Sequence, residues 1–321
     1  MRRRELIASA LALMARGSTA RAADPPLVAV LLVNIRPDAS GSWRRVVKNL
    51  QTLGYIEGST IRYAVRASQD PADLASFATE LIRLAPQVIY AQGDQAARAA
   101  AAASTSIPIV AMTDDHIASG LTDNFAHPSR NVTGVSRLEA DLDTKRLELL
   151  HELVPAAGIL ALRDPQTAWP SRTTQLEQAA SRLGVQLQIR DVREAGDVAD
   201  AIARGQAAGA GAVLVLGSPL LSSINVDDQI IHAATARGLA TMVQIPNMVG
   251  RGHLAGYGVN QEAALMRVSY MIERILKGAA PGAIPVEQPT KFGFVVNLKT
   301  AKALGLTIPA AIFSRADEVL E

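Results

Sequence analysis

The sequence predicts an α/β fold in which two Rossmann-like lobes, each built on a parallel sheet, are joined by hinge crossovers. Apolar runs of strand length alternate with segments of helical period along almost the whole chain, which is typical of parallel sheets with crossover helices. The same order of elements occurs twice, and comparable strands recur at a nearly constant offset of about 130 residues. The length of 321 residues is sufficient for two such lobes.

The first half of the chain predicts one lobe. Its apolar runs indicate four strands, at 27–33, 61–65, 88–91 and 108–112. Apolar residues three and four positions apart predict the helices between these strands. The first helix ends at Gly54, the second is opened by Asp70-Pro71, and the third is the alanine-rich segment that follows Gln92-Gly93-Asp94.

The second half repeats this order. Its predicted strands lie at 159–162, 185–189, 212–216 and 239–243, and its predicted helices at about 176–183, 198–203 and 222–236.

Two extended segments, 131–135 and about 254–258, are predicted to cross between the lobes. A helix at 141–153 would open lobe two, and a long amphipathic helix at 264–275, capped by Gly278, would return to lobe one. We therefore expect lobe one to comprise 27–137 plus about 258–321, and lobe two to comprise 138–257. A strand at 292–297 and a helix at 300–304 are predicted in the tail, but the sequence does not fix their lobe.

Residues 1–22 have the features of a secretory signal peptide. Arg2, Arg3 and Arg4 form a positive region, the apolar stretch 6–15 is too short to span a bilayer, and Ala20-Arg21-Ala22 resembles a signal-peptidase site. Arg3-Arg4-Glu5-Leu6-Ile7 also resembles a twin-arginine signal, so both export routes stay open.

Charge and composition narrow the classes of function. The whole chain has a net charge of +2, but five arginines and one glutamate lie in the leader, so the remaining chain is at −2. This charge gives no reason to expect a nucleic-acid surface. The absence of cysteine excludes disulfides, thiolate metal sites and a lipidated N-terminal cysteine, which favours a free protein in a Gram-negative periplasm.

Open parallel sheets bind ligands at the carboxyl ends of their strands, where helix N-termini offer free N–H groups. The loops after the predicted strands should therefore form the polar walls of a cleft that holds a small molecule. The candidate binding residues are, in lobe one, Asn34, Gln92, Gly93, Asp94, Gln95, Thr113 and Asp114, in lobe two, Arg163, Asp164, Gly217, Ser218 and Gln244, and at the second crossing, Tyr257.

Several of these residues have two interpretations. Gly93 either lets the backbone approach an anionic ligand group or simply allows a tight turn. Asp114 binds a ligand amine or a cation, or caps the local backbone. Arg163 and Asp164 bind a carboxylate and an amine, or pair with each other, and Tyr257 either stacks on a ligand or packs between the lobes.

Signatures of enzymes are missing from the sequence. It contains no G-x-x-x-x-G-K-[ST], no G-x-S-x-G and no H-E-x-x-H, and Gly209-Ala-Gly211 precedes a strand instead of following one. The five histidines are scattered without metal-ligand spacing. We therefore expect no catalytic residues, no metal site and no cofactor.

Several segments resemble the bacterial ABC transporter substrate-binding protein family, whose characterised members include tryptophan- and tyrosine-type binders. They are Gly54-Tyr55-Ile56-Glu57-Gly58, 131–135, 145–150, 275–278 and above all the C-terminal run 285–292, which continues through 297–309 to 315–319. The resemblance covers essentially the whole mature chain. It implies a type I periplasmic-binding fold that closes on a small polar solute, an amino acid or related carboxylate, and presents it as a monomer to an inner-membrane ABC permease.

The chain departs from the family pattern at several positions. Asp94-Gln95 stands where the family has threonine-proline, Thr113-Asp114-Asp115-His116 stands where a proline-bearing aspartate loop is frequent, and Gln244 stands where many members have tyrosine. These differences leave the identity of the solute open. Two other functions are compatible with the same fold: an effector-sensing domain of a regulator, which would need a helix-turn-helix before residue 27, and a periplasmic enzyme, which would need a catalytic cluster.

Overall fold

A computed structural model of the chain describes residues 24–33, 41–155, 158–167 and 170–321. These residues form a five-stranded and a seven-stranded sheet, both flanked by helices, which confirms the predicted two-lobed α/β class. The predicted signal peptide lies outside the described residues. So do Asn34 and the rest of its loop.

Lobe one is a parallel sheet with the strand order β2-β1-β3-β4-β5. All seven residues of β1 are buried, as expected for a strand that helices cover on both faces. The elements are β1 Leu27–Val33, α1 Gly41–Thr52, β2 Arg62–Ser68, α2 Leu74–Arg83, β3 Val88–Gln92, α3 Asp94–Ala103, β4 Ile109–Thr113 and β5 Val132–Ser136.

Lobe two begins with α4, which follows the first crossing. Its elements are α4 Glu139–Leu153, β6 Gly158–Arg163, α5 Pro170–Leu183, β7 Leu187–Asp191, α6 Asp197–Ala207, β8 Ala210–Val215, α7 Ile224–Thr235, β9 Ala240–Val243 and β10 Ala255–Val259. The order β7-β6-β8-β9-β10 repeats that of lobe one, strand for strand. The topology therefore confirms the duplication that the constant offset predicts.

The chain after β10 crosses between the lobes twice more. Helix α8, Gln261–Leu276, packs Val268, Met271 and Ile272 into the core of lobe one. The chain then runs beside β5, where the Glu287 N–H donates to the carbonyl of Gly134 (2.8 Å) and Glu287 accepts from the N–H of Ser136 (2.9 Å).

From residue 292 onwards the chain belongs to lobe two. Strand β11, Phe292–Asn297, pairs antiparallel with β10, and β12, Glu318–Leu320, pairs with β11. Phe294, Val296 and Ile312 lie in the core beneath that sheet, together with the short helices α9, Leu298–Ala303, and α10, Ala310–Phe313. The expectation that the whole of 258–321 lies in lobe one is therefore wrong for 292–320, because β10 offers a free edge to which β11 adds.

Substitution of Gly134 tests the close packing of β5 against β4. A Cβ on this residue would lie 1.8 Å from the carbonyl oxygen of Ala111, and its φ of +147° disfavours any other residue. We expect Gly134→Ala to lower the free energy of unfolding by about 3 kcal/mol or more, measured by chemical denaturation.

Gly196→Ala is the matched control for that variant. Gly196 has helical dihedral angles, and the nearest atom to its added Cβ, Glu194 Oε1, would be 3.8 Å away. This substitution should change stability by no more than about 0.5 kcal/mol. Equal stabilities for the two variants would contradict the close packing of β5 on β4.

Candidate functional site

The loops at the carboxyl ends of both sheets meet around a cavity of about 310 Å³. Both lobes line it, which is the arrangement expected at the switch points of two facing parallel sheets. The lining residues are, from lobe one and the start of α8, Gly41, Ser42, Arg45, Gln92, Gly93, Met112, Arg137 and Gln261, and from lobe two, Pro219, Ser222, Ser223, Ile245 and Asn247.

A larger cavity of about 490 Å³ lies elsewhere, against α8. Its walls come from β5, from α8 with the preceding Asn260, and from the segment 287–291, and residues of the lobe-two loops do not line it. Of these two cavities the smaller one is lined by both lobes, so its shape depends on their relative position, and we take it as the candidate functional site.

Gly93 is the turn between β3 and α3, and it forms part of the cavity wall. Its φ is +95°, and an added Cβ would lie 2.9 Å from Val33 Cγ1 and 3.5 Å from Cγ of Pro219 in the other lobe. The Gly93 N–H donates to the carbonyl of Met112 (2.9 Å). Glycine is therefore required here by the backbone and by the close approach of lobe two, and its own N–H is already bonded.

Gln92 has a fixed orientation in the same wall. Its Oε1 accepts hydrogen bonds from Ser42 Oγ (2.8 Å) and from the hydroxyl of Tyr90 (3.1 Å). Tyr90 is itself held by a stacked contact with Trp43, with ring centroids 6.0 Å apart. The amide N–H groups of Gln92 are the donors that this arrangement leaves for a ligand.

Behind the cavity, buried guanidinium and carboxylate groups form an ionic network between the lobes. Arg146 is fully buried, and its Nη1 donates to Glu139 (2.9 Å) and to Asp143 (2.6 Å). Arg172 of lobe two lies 2.6 Å from the same Asp143 and 3.5 Å from Asp114 of lobe one. The network therefore joins the end of β4 to the beginnings of α4 and α5.

Arg137 completes the network and also lines the cavity. It donates from Nη2 to Asp114, and its Nε lies 3.7 Å from Glu139. That Nε–H is buried and has no hydrogen-bond acceptor among the described residues. Arg137 thus links the ionic network to the space between the lobes.

The network shifts the pKa values of its members in opposite directions. Burial raises the pKa of Asp114 to about 7, although the charge of Arg137 opposes the shift. Burial also acts to raise the pKa of Glu139, but the charges of Arg146 and Arg137 outweigh it, and the pKa falls below its ordinary value. Glu139 is thus the more firmly ionised of the two carboxyl groups.

Of the predicted residues of lobe one that the structure describes, Gln92 and Gly93 line the cavity and the others do not. Asp94 is buried and accepts from Ser119 Oγ (2.6 Å), while Thr113 bonds to His116 Nδ1 (2.7 Å). Asp114 is a member of the ionic network. Gln95 donates to Oε1 of Gln166 in lobe two (2.6 Å), so it bridges the lobes directly.

The predicted residues of lobe two do not line the cavity, and their side chains bond to other protein groups. Arg163 pairs with Asp191 (2.7 Å) instead of Asp164, and Asp164 accepts from Ser218 Oγ (3.0 Å). Gln244 Nε2 donates to the carbonyl of Ser218 (3.0 Å).

Gly217 and Tyr257 are held by packing. An added Cβ at Gly217 would lie 2.5 Å from Glu139 Oε2. The ring of Tyr257 packs on Phe292 and Phe294, with centroids 6.1 and 6.2 Å away, so it does not line the cavity.

Sequence reasoning missed several lining residues, among them Ser42, Arg45, Arg137, Pro219, Ser222, Ser223 and Asn247. Two of them carried a usable signal. Ser223 is the second residue of the predicted helix 222–236, where serine is typical of the N-cap region, and Arg137 lies two residues after the predicted crossing 131–135. Ser42 and Arg45 lie within α1, and the expectation that ligand-binding residues follow the strands does not include helix residues.

A duplicated α/β chain with a polar cavity between its lobes has the type I periplasmic-binding fold, the fold of two-lobed solute-binding proteins. Among the helices that the structure describes, none combines the length and the apolar character required to cross a bilayer. The chain belongs to the ABC transporter substrate binding protein family, whose model matches residues 28–320. Members of this family are generally exported, bind a small molecule and deliver it to an ABC permease.

Individual relatives agree with this assignment. A tyrosine-binding protein of Clostridioides difficile is 24% identical over 282 residues, which are 84% of this chain and 78% of the relative. The ABC domain from Streptococcus pneumoniae in complex with L-Trp has a TM-score of 0.83 and 21% identity, covering 92% of this chain and 100% of the other. The ligand-free, open structure of a substrate binding protein with adhesive properties from Clostridium difficile has a TM-score of 0.65 and 23% identity, covering 92% and 99%.

The ionic network should contribute strongly to stability only where it is buried. Arg146→Met leaves Glu139 and Asp143 without their shared partner in a site that water does not reach, so we expect a loss of about 3 kcal/mol or more in the free energy of unfolding. Arg204→Ala removes the exposed pair with Asp200, whose side chains are 67% and 64% exposed, and should cost less than about 0.5 kcal/mol. Similar losses in chemical denaturation would contradict this account.

His116 should make stability depend on pH. Burial lowers its pKa from 6.5 to about 4, so between these values the unfolded chain binds a proton that the native protein does not. The free energy of unfolding should therefore fall as the pH drops through this window. From pH 6.5 to pH 5 the wild type should lose about 1.5 kcal/mol more than His116→Gln, as measured by denaturation at several pH values. Parallel pH profiles would contradict a neutral buried His116.

Proposed function

We propose that this chain is the solute receptor of an ABC importer and that it binds an amino acid or a related carboxylate in the interlobe cavity. The observation that carries the proposal is that both lobes line this cavity at the carboxyl ends of their sheets. A molecule there would contact Ser42 and Gln92 on one side and Ser222 and Asn247 on the other. It would therefore stabilise the closed arrangement of the lobes, which is the form presented to the permease.

The relatives support both the ligand class and the closed form. The curated relative is named for tyrosine, and one structural relative holds L-Trp. At nearly equal identity and coverage, the TM-score is 0.83 against the L-Trp complex and 0.65 against the ligand-free, open structure. This difference supports the view that the lobes described here are closed, as do the bonds of Gln95 to Gln166 and of Arg172 to Asp114.

We propose further that residues 1–22 direct export to the periplasm, that no lipid anchors the protein, and that it acts as a monomer without catalytic activity. The charged, apolar and small-residue regions of the leader and the general export of the family support the first point. Membership of a substrate-binding family favours transport over the regulator and the enzyme that the same fold could host.

A ligand screen tests this function. The purified protein should show a rise in unfolding temperature with one class among amino acids, carboxylates, sugars, nucleosides and polyamines. A solute at 100 times its dissociation constant adds about 2.7 kcal/mol to the free energy of unfolding. The same solute should reduce the radius of gyration in small-angle X-ray scattering. A solute that stabilises the protein without making it more compact would contradict lobe closure.

A further inference from the structure

The charged side chains that line the interlobe cavity are all basic among the described residues. Arg45 and Arg137 both belong to the wall, and the other described lining residues are uncharged. Arg137 is the more buried, with 12% of its side chain exposed against 45% for Arg45. A ligand in this cavity therefore meets positive charge from lobe one.

The nearest carboxylates are engaged behind Arg137. Asp114 accepts from Arg137 and lies near Arg172, and Glu139 accepts from Arg146. Asp94 is bonded to Ser119, and all three carboxyl residues are 3% exposed or less. They are therefore poorly placed to bind a ligand ammonium group.

An adjoining cavity shares Arg45 and three other lining residues with the interlobe cavity, and it does contain acidic residues. Glu262 lies 3.6 Å from Arg45, and Asp317 accepts from the N–H of Phe294 (2.8 Å). Glu318 is the third acidic residue of that cavity. None of the three lines the interlobe cavity itself, and Glu262 pairs with Arg45, not with Arg137.

Two uncharged features of the wall also favour a ligand that carries hydrogen-bond acceptors. Gln92 retains its amide N–H groups as donors, because its oxygen already binds Ser42 and Tyr90. Helix α7 begins at the wall, just after Ser223, and the first N–H groups of a helix favour negative charge. The hydroxyl groups of Ser222 and Ser223 do not add to this preference, because they donate their protons to backbone carbonyls.

We propose that the cavity selects a carboxylate that carries no ammonium group, such as a 2-oxo acid, a hydroxy acid or a simple organic acid, and that Arg137 determines this selectivity. This inference rests on the proposed function and narrows its ligand class. In an α-amino acid the ammonium group lies next to the carboxylate, so a carboxylate bound at Arg137 would place a second positive charge against a wall in which no described residue is acidic.

Matched pairs of ligands test the inference. Each pair compares an amino acid with its deaminated counterpart: phenylalanine with phenylpyruvate, tyrosine with 4-hydroxyphenylpyruvate, alanine with lactate, and glutamate with 2-oxoglutarate. Titration calorimetry on the full protein should show at least tenfold tighter binding of the deaminated member in the pair that binds. Tighter binding of the amino acid would overturn the inference and leave the proposed function intact. Absence of binding in every pair would count against both.

Variants then test the role of Arg137. Arg137→Gln should weaken carboxylate binding at least tenfold and remove the preference within the pair, whereas Arg137→Lys should retain part of both. Arg204→Gln, on the outer helix α6, should bind like the wild type.

Because Arg137 also contacts buried Asp114, the glutamine variant could fail to fold. Arg45→Gln then provides the second test, since Arg45 is far more exposed. It should weaken the carboxylate and leave the thermal unfolding temperature of the free protein unchanged. Unchanged affinity in both neutral variants would overturn the assignment.

Discussion

The fully buried guanidinium of Arg146 is the group on which the arrangement of the two lobes depends. It bonds to Glu139 and Asp143 on its own helix, and its Nε donates to the carbonyl of Tyr257 in β10 (2.6 Å). One side chain thus fixes α4, where the first crossing ends, to β10, where the second begins. The Nη2 of Arg146 has no hydrogen-bond acceptor among the described residues, so the bonds at Nη1 and Nε carry the compensation for burying this charge, and these partners have little freedom to move apart.

From this centre the network extends to both walls of the cavity. Asp143 also forms an ion pair with Arg172 in lobe two, and Arg172 in turn contacts Asp114 in lobe one. Asp114 holds Arg137, which lines the cavity. Opening of the lobes would have to separate the longest of these contacts, Arg172 to Asp114, while those within lobe two could remain. The position of the cavity-lining Arg137 therefore depends on Asp114, whose contact with Arg172 connects the two lobes.

The duplicated topology explains why the cavity lies between the lobes. Each half of the chain has the same strand order, with a switch point beside its first strand, and the two switch points face each other. The third crossing, at 288–291, then returns the chain to lobe two, where β11 and β12 extend the sheet. Because three segments cross, relative motion of the lobes is restricted to bending about one region.

The sequence by itself determined the fold class, the duplication and nearly every strand and helix, because burial in a parallel sheet and on a helix face imposes periodic patterns. It also located Gln92 and Gly93, since ligand loops follow strands. Only the tertiary structure decided that β11 adds to lobe two, because the sequence of a strand does not show which free sheet edge it will pair with. Likewise, Arg163 pairs with Asp191 and Arg137 reaches the cavity through contacts between residues far apart in the chain, and the spacing of residues along a sequence carries no information about such contacts.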